Sequence, residues 1–354
     1  MEFGLSEEQI LLKDTVNRYL DGASSLEQVR KFVTAPETDV WNGLVELGIP
    51  GILVSEANGG LGMTALDAAI VAEALGSHTA PAPFLGSAVL APVALEAAGE
   101  NPDDILAALV SGEKRMGIAV GETYAARADA GIRSDGNRLS GRALFVLDYG
   151  ADAYLVADQQ HALFLVGADA AGLTHRNLTT IDLTRRTGEL IFNDVDARKV
   201  SDDPTVLQKM LNFGRIMLAA DTLGAGQIML DQAVAYAGER EQFNRPIASF
   251  QAVKHMCAEM AAELEPCRAL VWYAAHALDE LPEEASLTAC HTNAHLAEVG
   301  KFVAKTATEV HGGMGFTDLL GLHYWFKRIG FNRQLLGSPE MLRDQAARLQ
   351  DLVA

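Results

Sequence analysis

Arg240-Glu241-Gln242-Phe243-Asn244-Arg245-Pro246-Ile247, then Phe250-Gln251-Ala252-Val253-Lys254-His255, interrupts a long helical pattern. Upstream, apolar residues keep helical spacing from Pro204 to about Arg240; downstream the spacing resumes from Phe250 to Leu278. The stretch therefore reads as a loop between two helices, flanked by Arg240 and Arg245. A guanidinium offers planar, multidentate donors to pyrophosphate oxygens without a basic surface around it. Two on one loop mark a candidate anion site, with a solvated pair as the plainer alternative.

Outward from this loop, Asp202-Asp203-Pro204 supplies acidic cap residues and a proline at a first helical position. Further helices are expected from about Glu283 to Val310 and from Pro339, after a Ser338 cap, to the C-terminus. His311-Gly312-Gly313-Met314-Gly315-Phe316 follows the first of these. Its glycines suit either a close backbone approach to a ligand or a plain helix C-cap. The Ala-rich helices suit close packing in a four-helix bundle.

Before Asp202 the pattern changes. Runs at Met116 to Val120, Leu139 to Leu147, Ala153 to Val156, Leu163 to Val166 and Glu189 to Val195 read as short strands. Asp135-Gly136-Asn137 and Gly167 break them, giving a mostly antiparallel sheet. From Ser6 to Gly112 the spacing is helical again, as in Ile10, Leu11, Val16 and Leu20. The expected α+β fold has an N-terminal helical domain (1–113), a middle antiparallel β domain (114–201) and a C-terminal helical bundle (202–354).

The 354 residues carry 28 Lys+Arg against 47 Asp+Glu, a net charge of -19 that argues against nucleic-acid binding. No apolar run reaches the roughly 18 to 20 residues of a membrane span, and the start Met1-Glu2-Phe3-Gly4 has no basic signal region. Cys257, Cys267 and Cys290 show no disulfide or C-x-x-C spacing, which fits a reducing cytoplasm.

Three segments together resemble the acyl-CoA dehydrogenase family of flavoproteins. Leu47-Gly48-Ile49-Pro50-Gly51 through Ser55-Glu56 and Gly59-Gly60-Leu61-Gly62 is similar to the family's N-terminal L-G-x-x-G-x-x-x-P-E-x-x-G-G-x-G. Arg240 to Ile247 with Phe250-Gln251 resembles R-x-Q-F-G-x-x-I-x-x-F-Q, and Gly312-Gly313-Met314-Gly315 resembles G-G-x-G. The resemblance implies an FAD cofactor, an acyl-CoA substrate and an electron-transfer flavoprotein-like acceptor. In the family, the second and third segments bind the pyrophosphate and adenosine end of an FAD whose flavin lies in a neighbouring subunit. Carried over by position, the cofactor-binding residues are Arg240, Gln242, Phe243, Gln251, Gly312 and Gly313. Asn244 and Glu309 depart from the family's common Gly and Gln.

Family chemistry is α,β-dehydrogenation: a carboxylate removes the α-proton while hydride leaves Cβ for the flavin. Of the two positions that supply the Glu in relatives, one is Leu336 here, in Gln334-Leu335-Leu336-Gly337-Ser338, and the other is Gly214. Neither accepts a proton, so no catalytic residue is assigned. Asp221 lies two turns beyond Gly214, about 10 Å along the helix, and Glu340 sits where a carboxylate commonly serves a helix N-terminus. The sheet-domain T-E-P-x-x-G-S-D motif appears as Gly121-Glu122-Thr123-Tyr124-Ala125-Ala126-Arg127-Ala128-Asp129, keeping Glu122 but losing Pro and G-S-D. W/F-I-T-N-G appears as Phe145-Val146-Leu147-Asp148-Tyr149, with Leu147 in place of a flavin-bonding Thr.

The kept half serves a neighbour's cofactor and the eroded half the chain's own. The resemblance thus implies one subunit of a hetero-oligomer like the bacterial α2β2 enzymes acting on steroid side-chain CoA esters. The alternatives are a self-sufficient homotetramer with an unusual base and a structural pseudoenzyme. His291, His295 and Glu298 share a helix face with metal-ligand spacing, but the resemblance calls for no metal. Asp182 through Arg186 reads as a charged loop without a role.

Overall fold

A computed structural model describes residues 4–35, 40–121 and 130–353. Six helices come first: α1 (Glu7–Ala23), α2 (Leu26–Thr34), α3 (Val40–Glu46), α4 (Ala65–Ser77), α5 (Ala91–Ala98) and α6 (Ile105–Val110). Eight strands follow, β1 (Met116–Ala119), β2 (Gly131–Asp135), β3 (Arg138–Leu147), β4 (Ala153–Ala157), β5 (Leu163–Gly167), β6 (Leu173–Leu178), β7 (Thr187–Asp196) and β8 (Arg198–Ser201). After α7 (Pro204–Glu239) come a short hairpin, β9 (Glu241–Gln242) and β10 (Arg245–Pro246), and then α8 (Gln251–Glu280), α9 (Pro282–His311), α10 (Leu322–Asn332) and α11 (Pro339–Leu349). The order helices, sheet, helices is the one the sequence pattern predicts.

The chain forms two compact units that interleave along the sequence. One holds 37–68 and 81–215, the other 1–36, 69–80 and 216–354. In the first, the strand order is β6-β7-β3-β1-β4-β5-β8, with β2 paired to β3. Every pair is antiparallel except β1 with β4. One sheet face buries Ile132, Leu139, Val146, Tyr154, Val156, Phe164, Leu190, Phe192 and Val195 in a single core. Strands β2, β6 and β8 go beyond the sequence reading. The β2–β3 hairpin turns at Gly136, where φ is 59°, and β6 is exposed along most of its length, so it offers no apolar alternation to read.

In the second unit, α1 and α11 start on side-chain caps. Ser6 and Gln9 form a reciprocal capping box on α1, and Ser338 accepts from Met341 N (3.3 Å) at the start of α11. The later part of α7 lies against α4 with almost no space between backbones. A Cβ on Gly224 would stand 1.9 Å from the Glu73 carbonyl oxygen, and one on Gly76 at 1.9 Å from that of Asp221. Only hydrogen at both positions permits this approach. Helix α10 was not foreseen, because it starts after Gly321, in a left-handed conformation, with no side-chain cap to announce it.

Candidate functional site

The hairpin after α7 turns in two residues, with Arg245 opposite Gln242 and Pro246 opposite Glu241. Both turn residues are left-handed, Phe243 at φ 54° and Asn244 at φ 59°, as tight two-residue hairpins require. Asn tolerates this conformation best after Gly, so the departure from the family glycine at Asn244 leaves the turn intact. An aromatic residue there costs about 1–2 kcal/mol, yet Phe243 is 87% exposed and gains little burial in return. Strain held without local compensation points to function.

Phe250, at the start of α8, organises the hairpin. The Arg245 guanidinium sits 4.1 Å above its ring, and Phe243 meets it edge-on at 6.1 Å. Ile247 N donates to Arg240 O (2.8 Å), closing the loop at its base. Gln242 Nε2 donates to Glu241 O (2.8 Å), and Gln251 Nε2 lies 3.4 Å from His255 Nε2. Arg240, Gln242 and Gln251 are all exposed.

At the end of α9, Gly312 takes φ 57° and ψ -136°, a combination easy only for glycine, and its N–H returns to Glu309 O. It is therefore a helix cap. It is also open: a Cβ on Gly312 or Gly313 would meet no atom within 4 Å, whereas one on Gly315 would crowd Thr308 O at 2.7 Å. The cap reading holds at Gly312, Gly315 serves packing, and Gly312 and Gly313 face free space.

His311 ties the glycine turn to the hairpin. Its buried ring lies 4.6 Å from that of Tyr236, one turn before the end of α7, and its Nδ1 is 2.7 Å from Ala307 O. Burial holds its pKa below the usual imidazole value, which favours the neutral ring. The contact puts Arg240, Gln242, Phe243, Gln251, Gly312 and Gly313 at one end of the helical unit. Exposed planar donors beside an open glycine turn fit a dinucleotide's pyrophosphate and adenosine.

The positions of the family base hold no substitute. Leu336 is fully buried at φ 55°, and Gly214 is buried within α7. Asp221 is engaged by Arg328 Nη1 (3.3 Å) and Asn332 Nδ2 (2.6 Å), while Arg328 Nη2 donates to Ala80 O (2.9 Å). That buried network is structural. Glu340 is exposed, 3.1 Å from Arg333 Nη2. Backbone N–H bonding in the first turn of α11, then Ser338 and Arg333, hold its carboxyl below the usual range, the opposite of what a general base needs.

In the sheet unit, Glu122 and the rest of 122–129 lie outside the described residues. Phe145 sits in a bulge between Ala143 and Val146, at φ 52° and part exposed, while the Leu147 side chain is buried. Asp148 Oδ2 accepts from Gly86 N (2.6 Å), within the π-helical turn Leu85–Leu90. Glu298 is bound by Arg333 (2.7 Å), away from a metal role with His291 and His295. None of the three cysteines forms a disulfide, and burial pushes the Cys267 thiol up to about 11. Asp182 is buried and accepts from Thr184 N (2.9 Å), so it shapes its own loop. The Arg245–Phe250 stack is not legible in the sequence, because the five-residue spacing does not say that the chain turns back on itself there.

Comparison with known proteins bears on these features. Residues 6–113 match the profile described as Acyl-CoA dehydrogenase, N-terminal domain, and 205–350 that described as Acyl-CoA dehydrogenase, C-terminal domain. Acyl-CoA dehydrogenase IpdE2 of Mycolicibacterium smegmatis is 29% identical over 98% of this chain and 99% of its own length. Acyl-CoA dehydrogenase FadE27 of Mycobacterium tuberculosis is 31% identical over 92% of each. Among solved structures, a variant of the Tcur3481-Tcur3483 steroid ACAD gives a TM-score of 0.87 at 28% identity over 98% of both chains. The ChsE4-ChsE5 complex from Mycobacterium tuberculosis gives 0.90 at 27% identity over 100% of both. Two domain profiles and full-length relatives thus make this chain a member of the acyl-CoA dehydrogenase family, FAD-binding oxidoreductases that act on acyl-CoA.

Proposed function

We propose that this chain is one subunit of a hetero-oligomeric acyl-CoA dehydrogenase that carries out α,β-dehydrogenation of acyl-CoA thioesters, steroid side-chain CoA esters among them. It contributes the adenosine and pyrophosphate half of an FAD site, and a second subunit of the same family contributes the flavin pocket and the Glu base. The observation that carries this reading is a contrast within the helical unit. Phe243 is held strained and exposed beside open glycines, while Leu336 is fully buried where relatives keep the base. The heteromeric names of the Tcur3481-Tcur3483 and ChsE4-ChsE5 structures support it.

FAD, when bound, would supply the acceptor for the hydride, and with it the two electrons, that leaves Cβ of the substrate. This chain's part is binding and orientation. Arg240 offers charge-assisted hydrogen bonds to pyrophosphate oxygens, Gln242 and Gln251 offer amides, and Phe243 offers an apolar face to the base. The open side of Gly312 and Gly313 lets backbone N–H groups approach the same anion. A substrate proton has no acceptor among the residues assigned here, so the step belongs to the partner. Three domains at 1–113, 114–201 and 202–354, a cytoplasmic setting that suits cysteines without disulfides, and an electron-transfer flavoprotein-like acceptor complete the proposal.

Substituting Arg240→Ala in the assembled pair tests it. Loss of a charged hydrogen-bond donor is worth about 1.5–3 kcal/mol, so FAD affinity of the complex should fall roughly ten- to hundredfold. Unchanged FAD content with intact assembly would instead favour a structural role for this subunit.

A further inference from the structure

The segment between the glycine turn and α10 is held from far away in the sequence. Arg30, on α2, donates through Nη2 to the carbonyl oxygens of Asp318 and of Leu319 (3.0 Å), and its Nε lies 3.2 Å from Asp318 Oδ2. The other carboxylate oxygen of Asp318 receives His323 Nε2 (2.8 Å) and the Tyr324 hydroxyl (3.3 Å) from α10. One turn earlier on α2, Leu26 fills the space a Cβ of Gly321 would take, at 2.4 Å. Among the described residues, the backbone-to-backbone hydrogen bonds of this segment are local turns. Thr317 and Gly321 make only local turn bonds, to Met314 O and Asp318 O.

What Arg30 fixes is a surface. Phe316 and Leu319, at 80% and 70% exposed, stand on this segment directly after Gly312 and Gly313. With two hydrogen bonds from Nη2 to backbone carbonyls and an ion pair with the Asp318 carboxylate, the guanidinium restrains main chain and not merely a side chain. A lysine ammonium has donors for these acceptors but lacks the rigid planar fork, so it holds the segment with less directional restraint.

We propose that Arg30 is a positioning residue for the glycine turn. It holds Asp318 and Leu319 so that Met314 to Gly321 keeps one conformation, with Phe316 and Leu319 displayed beside the open glycines. The N-terminal helices thereby complete a surface formed mainly by the C-terminal ones. What that surface binds rests on the half-site reading above; the tether itself does not.

The test compares Arg30→Ala and Arg30→Lys with the parent, as the full chain and in complex with its partner. Amide hydrogen exchange is followed at 313–321, and FAD release is followed from the complex. In Arg30→Ala, exchange at 315–321 should quicken about tenfold while α9 is unaffected, and FAD release should quicken with subunit affinity retained. Arg30→Lys should recover part of both effects. Unchanged exchange at 315–321, or faster exchange confined to α2, overturns the positioning role. Faster exchange at 315–321 with unaltered FAD release keeps the tether and overturns the half-site reading instead.

Discussion

At Phe243 a strained backbone carries an exposed aromatic ring, and the proposed FAD half-site gives that strain a use. Its backbone sits in a conformation unfavourable to side chains, and its ring is in solvent apart from one edge-on contact with Phe250. For Phe243→Gly the account expects the hairpin to lose about 1–2 kcal/mol of strain, so thermal stability should hold or rise. FAD retention by the assembled enzyme should fall. A stability gain with full FAD retention would mean that the ring serves nothing at this end. The motif makes Phe243 legible as a candidate site residue, but not its strain, since a sequence does not state the sign of φ. The same holds for Leu336: its identity removed the base, whereas its burial and left-handed backbone emerged only in three dimensions.

At the scale of elements, the long helices were legible because caps and periodicity agree. Asp203 accepts from Thr205 N (2.9 Å) at the start of α7, and Ser338 caps α11, both as read. Elements without such signals were missed. β6 is exposed along most of its length, and α10 begins on a left-handed glycine. The approach of α4 to α7 was equally hidden, because it depends on which two glycines face each other. Gly224→Ala should destabilise the chain by about 1–3 kcal/mol or more, since the added carbon meets backbone and not a movable side chain. Chemical denaturation reads this directly. A substitution without effect would show that α4 and α7 separate at little cost. The Arg30 contacts with Asp318 and Leu319, spanning nearly three hundred residues, belong to the same class of information that no local pattern carries.

For the whole molecule, three sequence segments and two compact units describe the same chain differently. The order of helices and strands follows the sequence, yet α4 and α7 each contribute to both units. The proposed functional asymmetry is legible from particular residues. Arg240, Gln242, Phe243 and the glycines are kept, and Leu336 and Gly214 stand where a base would be. The geometry adds that the kept residues gather at one end of the helical unit through Tyr236 and His311, and that neither Asp221 nor Glu340 is poised as a replacement.

The flavin content of the chain purified alone, set against that of the chain co-purified with its partner subunit, tests the central claim most directly. The account predicts little or no FAD and no acyl-CoA dehydrogenation for the chain alone. With the partner it predicts one FAD for each pair of subunits and turnover on CoA thioesters. A chain that purifies by itself with a full complement of FAD and turns over acyl-CoA would contradict it.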